Sequence, residues 1–381
     1  MKIKKKLLFL IVLYILLSTL TSQAANNLSI ELEDSEYMIK SDEERIFIYY
    51  INEVYLENNL YSISNLLDSE FLSPEDTNRD EDLFMTAKKT TFVNSGNISI
   101  GYIDFGHNEA SISRDMIKIL DSYSNNYNDL KPEKEYDVKL KTLTQSVNGV
   151  FMGTKVIENE KSNFNLDLIF NFLVGRKLKT RDYSGIIRYD QEELIMKGKN
   201  KGIYSAVGQQ MERNNKFKSY GYSLGGQFYW RIGEDKSVKF TVKNLLNQLI
   251  WKDVYTMEGE YDSDNVKVNE EGYLEYVSSF TGRYYFRDYI TRLPIEYNLE
   301  YKHSAFTAGL YYNFKYYPYV YYNIYEGKFM AEPLQINVGI LRDKYGLSLS
   351  HPLIDLELMT NNINIYKATS IKGKIGLKYL F

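Results

Sequence analysis

Cysteine is absent from the 381 residues. That excludes disulfides, thiolate metal sites and a lipid-carrying cysteine behind an export signal. Histidine is nearly as scarce. His107, His303 and His351 are all there are, and no two stand three or four residues apart, so no helical His-x-x-x-His pair exists. G-x-S-x-G, Walker-type and G-x-G-x-x-G elements are missing as well. Ser350 and His351 suggest a nucleophile and its base, but neighbours on a strand point to opposite faces and cannot hydrogen-bond directly. No enzyme, cofactor or metal is expected. An excess of basic residues is lacking too: net charge is −4 overall. Without residues 1–24, 42 Lys and Arg face 50 Asp and Glu, a charge of −8, which excludes nucleic acid as a partner.

Long apolar runs are missing after the first twenty residues. At the N-terminus Lys2, Lys4, Lys5 and Lys6 precede the uncharged stretch Leu7–Leu20, and Ser22-Gln23-Ala24 supplies a small-x-small cleavage pattern. The stretch falls short of the ~20 residues that span a bilayer, so residues 1–24 read as a secretory signal peptide cleaved after Ala24. With no second apolar run, a helical membrane protein is not expected.

Residues 25–95 differ from the rest of the chain. Ser41-Asp42-Glu43-Glu44 fits a capping box. The spacing of Phe47, Ile51, Val54 and Leu60 predicts an amphipathic helix between Arg45 and Leu67, while Ile46, Ile48, Tyr49 and Tyr50 also admit a strand. An acidic loop covers Ser73–Asp82. The expectation is a helical extension, or a plug, ahead of the main domain at 96–381.

From Gly96 onward period-two alternation dominates. Phe164, Leu166, Leu168, Phe170 and Phe172 alternate with Asn165, Asp167 and Asn171; Tyr220, Tyr222, Leu224, Gly226, Phe228 and Trp230 share another face. Arg114–Tyr127 interrupts the pattern as a helix. Ile295, Tyr297, Leu299 and Tyr301 oppose Glu296, Asn298 and Glu300. Several runs reach the ~9–11 residues of a tilted membrane strand rather than the ~5–6 of a soluble one. Asp167, Glu296 and Glu300 are therefore candidate lumen-facing charges. Alternation also reconciles a mean hydropathy of −0.39 with a lipid-facing surface. Tyrosine is abundant, at 36 against only 2 Trp, and suits interfacial girdles. At roughly 20–24 residues per strand and loop, the region holds about 12–14 strands.

The chain ends on the same pattern. Ile371, Gly373, Ile375, Leu377, Tyr379 and Phe381 alternate with Lys372, Lys374, Gly376, Lys378 and Leu380. Phe381 with Tyr379, Leu377 and Ile375 resembles the C-terminal signature of bacterial outer-membrane β-barrels, which the barrel-assembly machinery reads. The fold class implied is all-β, an antiparallel transmembrane barrel in the outer membrane of a Gram-negative-type bacterium, surrounded by outer-membrane lipid. Thr291–Tyr301, with its Leu293-Pro294 pair before a strand, and Val242-Lys243-Asn244-Leu245-Leu246 further resemble the fatty-acid-transporter (FadL)-like barrels and their TraF- and PorV-like relatives. In those, the second pattern ends a strand. That resemblance implies 14 strands, an N-terminal plug and a lateral or lumenal route for hydrophobic ligands. The expected function is a channel or transporter for small or hydrophobic solutes. The alternatives are a structural or surface-interaction barrel and a barrel-embedded lipid hydrolase.

Overall fold

The computed structural model describes residues 46–380, apart from 59–80, 96, 124–129, 132–133, 160–162, 191–192, 206–218, 234, 264–265, 269–273, 277–278, 314, 330–331, 342–343 and 365–366. The expected signal peptide with Ser22 and Ala24, the expected capping box and Phe381 lie outside the described residues. Strand follows strand: β1 (Ile46–Asn58), β2 (Glu81–Ser95), β3 (Ile98–Ile112), then helix α1 (Arg114–Tyr123), β4 (Glu135–Asn159), β5 (Phe164–Asp190), β6 (Glu193–Tyr204), β7 (Ser219–Arg231) and β8 (Lys236–Ser263). A small hairpin, β9 (Val266–Val268) and β10 (Leu274–Tyr276), leads to β11 (Ser279–Thr291) and β12 (Glu296–His303). The rest are β13 (Phe306–Asn313), β14 (Lys315–Phe329), β15 (Glu332–Leu341), β16 (Lys344–His351), β17 (Ile354–Thr360) and β18 (Ser370–Leu380).

All pairings are antiparallel, and the sheet closes on itself where β1 pairs with β18 from Phe47↔Leu380 to Glu57↔Ser370. β6 and β7 are collinear, because both run against β5, on Lys179–Asp190 and Phe164–Leu173 respectively. β11 and β12 likewise share one stave against β8. With the β9–β10 hairpin outside the ring, the eighteen strands make a closed barrel of 14 staves. The even number and antiparallel order are those of single-chain outer-membrane barrels.

The expected helix at Arg45–Leu67 is a strand over Ile46–Asn58, and the barrel begins at Ile46 instead of Gly96. The reason is pairing. β1 has a partner on each side over its length, and its β-branched and aromatic residues fit a pleated surface better than a helix. No helical plug is found among the described residues. α1 matches the helix expected from Arg114; the Ser113 hydroxyl accepts from Met116 N at 3.4 Å as its cap. Val242–Leu246 does not end a strand. β8 runs through it, with Asn244 at φ 56° absorbing an irregularity opposite Leu224/Gly226. Gly225 is needed there, since a Cβ would lie 2.6 Å from the Val242 carbonyl oxygen. Leu293-Pro294 does precede a paired strand, β12, and interrupts the β11–β12 stave.

The first and last described residues, Ile46 and Leu380, meet at one rim, where the connections are 96–97, 160–163, 232–235, 304–305, 330–331 and 352–353. Three of these turns use left-handed backbone, at Asn163 (φ 50°), Gly233 (φ 80°) and Ser304 (φ 51°). The opposite rim carries the longer connections 59–80, 113–134, 264–278 and 361–369. Wall height is uneven: β4, β5 and β8 have 25, 27 and 28 residues, against 8 in β13 and β16 and 7 in β17. The tall sector rises at the rim away from the termini, and α1 packs there on the outer face through Ile119, Tyr136, Val138 and Ile187.

The two faces of the ring differ chemically. One carries exposed Phe170, Phe172, Tyr222, Phe286, Leu310, Ile340 and Tyr379. The other buries Asn171, Ser223, Gln227, Thr241, Lys239 and Lys344. In a closed tube the enclosed face is the one shielded from solvent, so the apolar face points outward. The exterior apolar belt is what a lipid environment requires.

Closure is reinforced inside by ion pairs at the seam and beside it. Lys372 Nζ lies 3.4 Å from Glu53 and 3.2 Å from Glu357, Lys344 lies 2.9 Å from Glu57, and Lys378 lies 3.1 Å from Asp355. Breaking a fully buried pair costs ~3–5 kcal/mol; with some lumenal water, Lys372→Met is expected to cost about 2 kcal/mol. The check is heat-modified gel migration, in which the variant should convert to the unfolded form at a lower temperature than the parent.

Candidate functional site

The enclosed face is organised in three zones. Nearest the seam, β12–β18 and β8 surround a polar cavity of about 230 Å³ whose lining includes Lys239, Glu300, Tyr311, Tyr319, Tyr321 and Lys372. The Tyr319 hydroxyl donates to Asn298 Oδ1 at 2.9 Å or to Glu300 Oε2 at 3.0 Å, and Tyr321 donates to Glu357 at 3.3 Å. These phenols come from Tyr-rich β14, whose alternate residues turn inward.

The second zone is an apolar girdle inside the tube. Ile103, Phe105, Val147, Leu173, Leu178, Ile203, Leu249, Trp251, Val254 and Leu293 form one buried cluster. Trp251 is 0% exposed, and its Nε1–H donates to Thr291 Oγ1 at 2.7 Å. Its ring lies against Gly175, where a Cβ would approach it to 2.5 Å. Leu293 reaches the cluster because the chain bends inward between β11 and β12. Asn247 and Gln145 hold that bend: Leu293 N donates to Asn247 Oδ1 at 2.5 Å, and Gln145 Nε2 donates to Arg292 O at 3.1 Å. Beside the girdle a mixed pocket of about 70 Å³ is lined by Phe105, Phe151 and Leu293 together with Lys88, Lys243 and Glu296.

The third zone is a charged vestibule of about 630 Å³ at the rim away from the termini. Lys201, Glu258 and Arg283 stand in one row, with Lys201 at 2.5 Å and Arg283 at 3.1 Å from Glu258. Lys199–Glu260 at 3.1 Å and Lys197–Asp262 at 3.0 Å continue the ladder. On β11, Arg283, Tyr285, Arg287 and Tyr289 alternate guanidinium with phenol at 5.3–5.8 Å.

The three charges singled out from the sequence stand on the polar face of their strands. Asp167 is buried beside Gln227 in the register, Glu296 lies 3.6 Å from Lys243, and Glu300 accepts from Tyr319. Asp167 stands on β5 and Glu300 on β12, with β7 and β8 between them. Ile375, Leu377 and Tyr379 are on the opposite, outward face of β18, away from Lys372, Lys374 and Lys378. Sequence reasoning missed the lysine partners. The alternating lysines of the last strand were the available signal, but which acids meet them is set by register. Ser350 donates to Asp355 at 2.9 Å, while His351 contacts Phe329 O at 3.2 Å and accepts from Leu353 N at 3.2 Å. Serine and histidine thus serve different partners, and no hydrolytic pair is assembled at this position.

No family model matches the chain, and no curated protein matches it. Among solved structures it is similar to a mutant of the TodX monoaromatic hydrocarbon channel, at 6% identity and TM-score 0.42 over 93% of this chain and 95% of that one. It is also similar to the outer membrane protease OmpT of Escherichia coli (10% identity, TM-score 0.21, covering 90% and 98%) and to OccAB2 of Acinetobacter baumannii (9%, 0.17, covering 89% and 98%). All three TM-scores are below 0.5, so the assignment to closed antiparallel β-barrels rests on the strand register itself.

Hydrogen bonds from Lys201, then Tyr285 and Arg283, hold the Glu258 carboxyl down at about 2, against an ordinary value of 4.5. A depressed carboxyl contributes its ionic interactions fully above pH 4.5 and loses them as pH falls toward about 2. Lys201→Met should move the Glu258 titration up toward the ordinary value. Carboxyl NMR titration reads this directly, and an unmoved midpoint would show that Lys201 is not the principal cause.

Proposed function

We propose that this protein is an outer-membrane channel that passes small polar solutes through the barrel lumen. One observation carries the reading: the enclosed face surrounds a 230 Å³ cavity lined by phenols and charged side chains. A barrel that served only as a membrane anchor has no need of such a lining. The location reading is supported by the outward apolar belt and by short turns at the rim that holds both termini, the periplasmic rim of such barrels. Under it, residues 1–24 are the export signal, with Ser22 and Ala24 at the cleavage site, and Ile375, Leu377, Tyr379 and Phe381 are the signature engaged by the assembly machinery. Polar solutes are favoured over hydrophobic ones because phenols, amides and charged side chains line the cavity, Lys239, Asn298, Glu300 and Tyr319 among them. Asp167, Glu296 and Glu300 then help set ionic preference along the wall.

The Trp251 girdle favours a second reading, a barrel whose packed interior does not conduct. Planar-bilayer recording and liposome swelling with sugars and zwitterions separate the two. The channel reading expects small discrete conductances for the wild type and a severalfold increase for Trp251→Ala. That variant also loses ~3–5 kcal/mol of packing, so its heat-modified migration must be checked alongside. Silence in both assays, for wild type and variant alike, would establish the non-conducting barrel instead.

A further inference from the structure

On β5 the outward face changes character abruptly. Phe170, Phe172 and Val174 are exposed and apolar; beyond the bulge opposite Ser146/Val147, Lys177, Lys179 and Arg181 take over the same face. All three are exposed, and none forms an ion pair among the described residues. Arg176, the extra residue of the bulge, adds a fourth cation, 3.7 Å from Asp104 and 3.0 Å from the Tyr102 hydroxyl.

Register fixes the depth of this strip. Lys179 stands in one row with Tyr204 of β6, Tyr255 of β8 and Phe286 of β11. These rings form a continuous outward cluster, with centroids 6.3 Å apart between Tyr204 and Tyr255 and 5.8 Å between Tyr255 and Phe286. A ring of aromatics above an apolar belt marks the level where acyl chains give way to headgroups. Lys177 and Arg181 flank that row, over about 13 Å of strand. The inner face of the same wall behaves differently: there Lys197, Lys199 and Lys201 each meet an acid. Three like charges on one strand face repel one another, so an anion laid across them would relieve that repulsion.

We propose that Lys177, Lys179 and Arg181, with Arg176, bind the phosphate groups of a phosphorylated glycolipid of the outer leaflet. The apolar stretch below them on β5 would lie along its acyl chains. The assignment rests on the outer-membrane location proposed for this barrel, because that reading places this rim in the outer leaflet.

The test uses the full-length mature barrel in detergent and a bisphosphorylated hexa-acyl glucosamine disaccharide lipid as probe. Native mass spectrometry counts the lipid retained. At about 1 kcal/mol per basic residue near an anionic surface, the triple substitution Lys177→Ser, Lys179→Ser, Arg181→Ser should weaken retention roughly tenfold or more. The control Lys197→Ser, Lys199→Ser, on the inner face, should leave it unchanged, and the dephosphorylated lipid should bind the wild type weakly. Equal retention by the triple variant and wild type overturns the proposal, as does equal binding of the dephosphorylated lipid. Displacement by inorganic phosphate as effectively as by the lipid also overturns it, in favour of a small-anion site. Heat-modified migration shows that each variant is a folded barrel, and membrane fractionation tests the location separately from lipid binding.

Discussion

Everything in this molecule depends on one hydrogen-bonded seam, the ladder from Phe47↔Leu380 to Glu57↔Ser370. Within hydrocarbon an unpaired backbone amide or carbonyl costs several kcal/mol, and an open sheet would present a whole row of them. Among the described strands, the first and last are the two that an open sheet would leave with a free edge, and pairing them removes it. The contact is also the most distant in sequence, so the entropic demand of bringing the ends together falls here. The cluster of Lys344, Lys372 and Lys378 with Glu53, Glu57, Asp355 and Glu357 sits behind this ladder. Directional charge pairs suit the place, because they also penalise a slipped register.

Closure divides the chain's side chains into two populations that obey different chemistry. Outside, aromatic and aliphatic groups form an exposed apolar belt. Inside, space is limited and polar groups must be satisfied by one another. The tall sector meets this demand partly by packing: Trp251 fills the room left by Gly175, and the β11–β12 bend brings Leu293 into the same cluster. The short sector meets it with phenols and ion pairs around an open cavity. The interior is therefore lopsided, with a packed apolar cluster along one wall and a polar cavity along the other.

Much of this was legible in the sequence, where the period was clean. Phe164–Phe172, Tyr220–Trp230, Glu296–Tyr301 and the last strand alternate as written and fold as strands. β1 was misread because both of its faces carry mixed residues. Tyr49, Ile51 and Tyr55 point inward while Asn52 points outward, so alternation is erased and a helical spacing emerges by accident. Elsewhere single inserted residues invert the parity midway. Arg176 on β5 and Asp253 on β8, at φ 51°, each swap the inner and outer faces above them. The charge partners were illegible for a different reason. Lys344 and Glu57 are brought together only by the closure, and local spacing carries no trace of a contact between opposite ends of a chain.

The rim where the chain begins and ends has a topological consequence. Because β1 and β18 are joined by the same kind of ladder as any other neighbouring pair, the ring has no privileged starting stave. The tight connections at 96–97 and 304–305 open onto that same rim. A circular permutant that begins at either turn, with the old ends bridged by a short linker, would trace the same closed surface. Where translation starts is thus a property of the gene's layout, and the finished cylinder keeps no record of it.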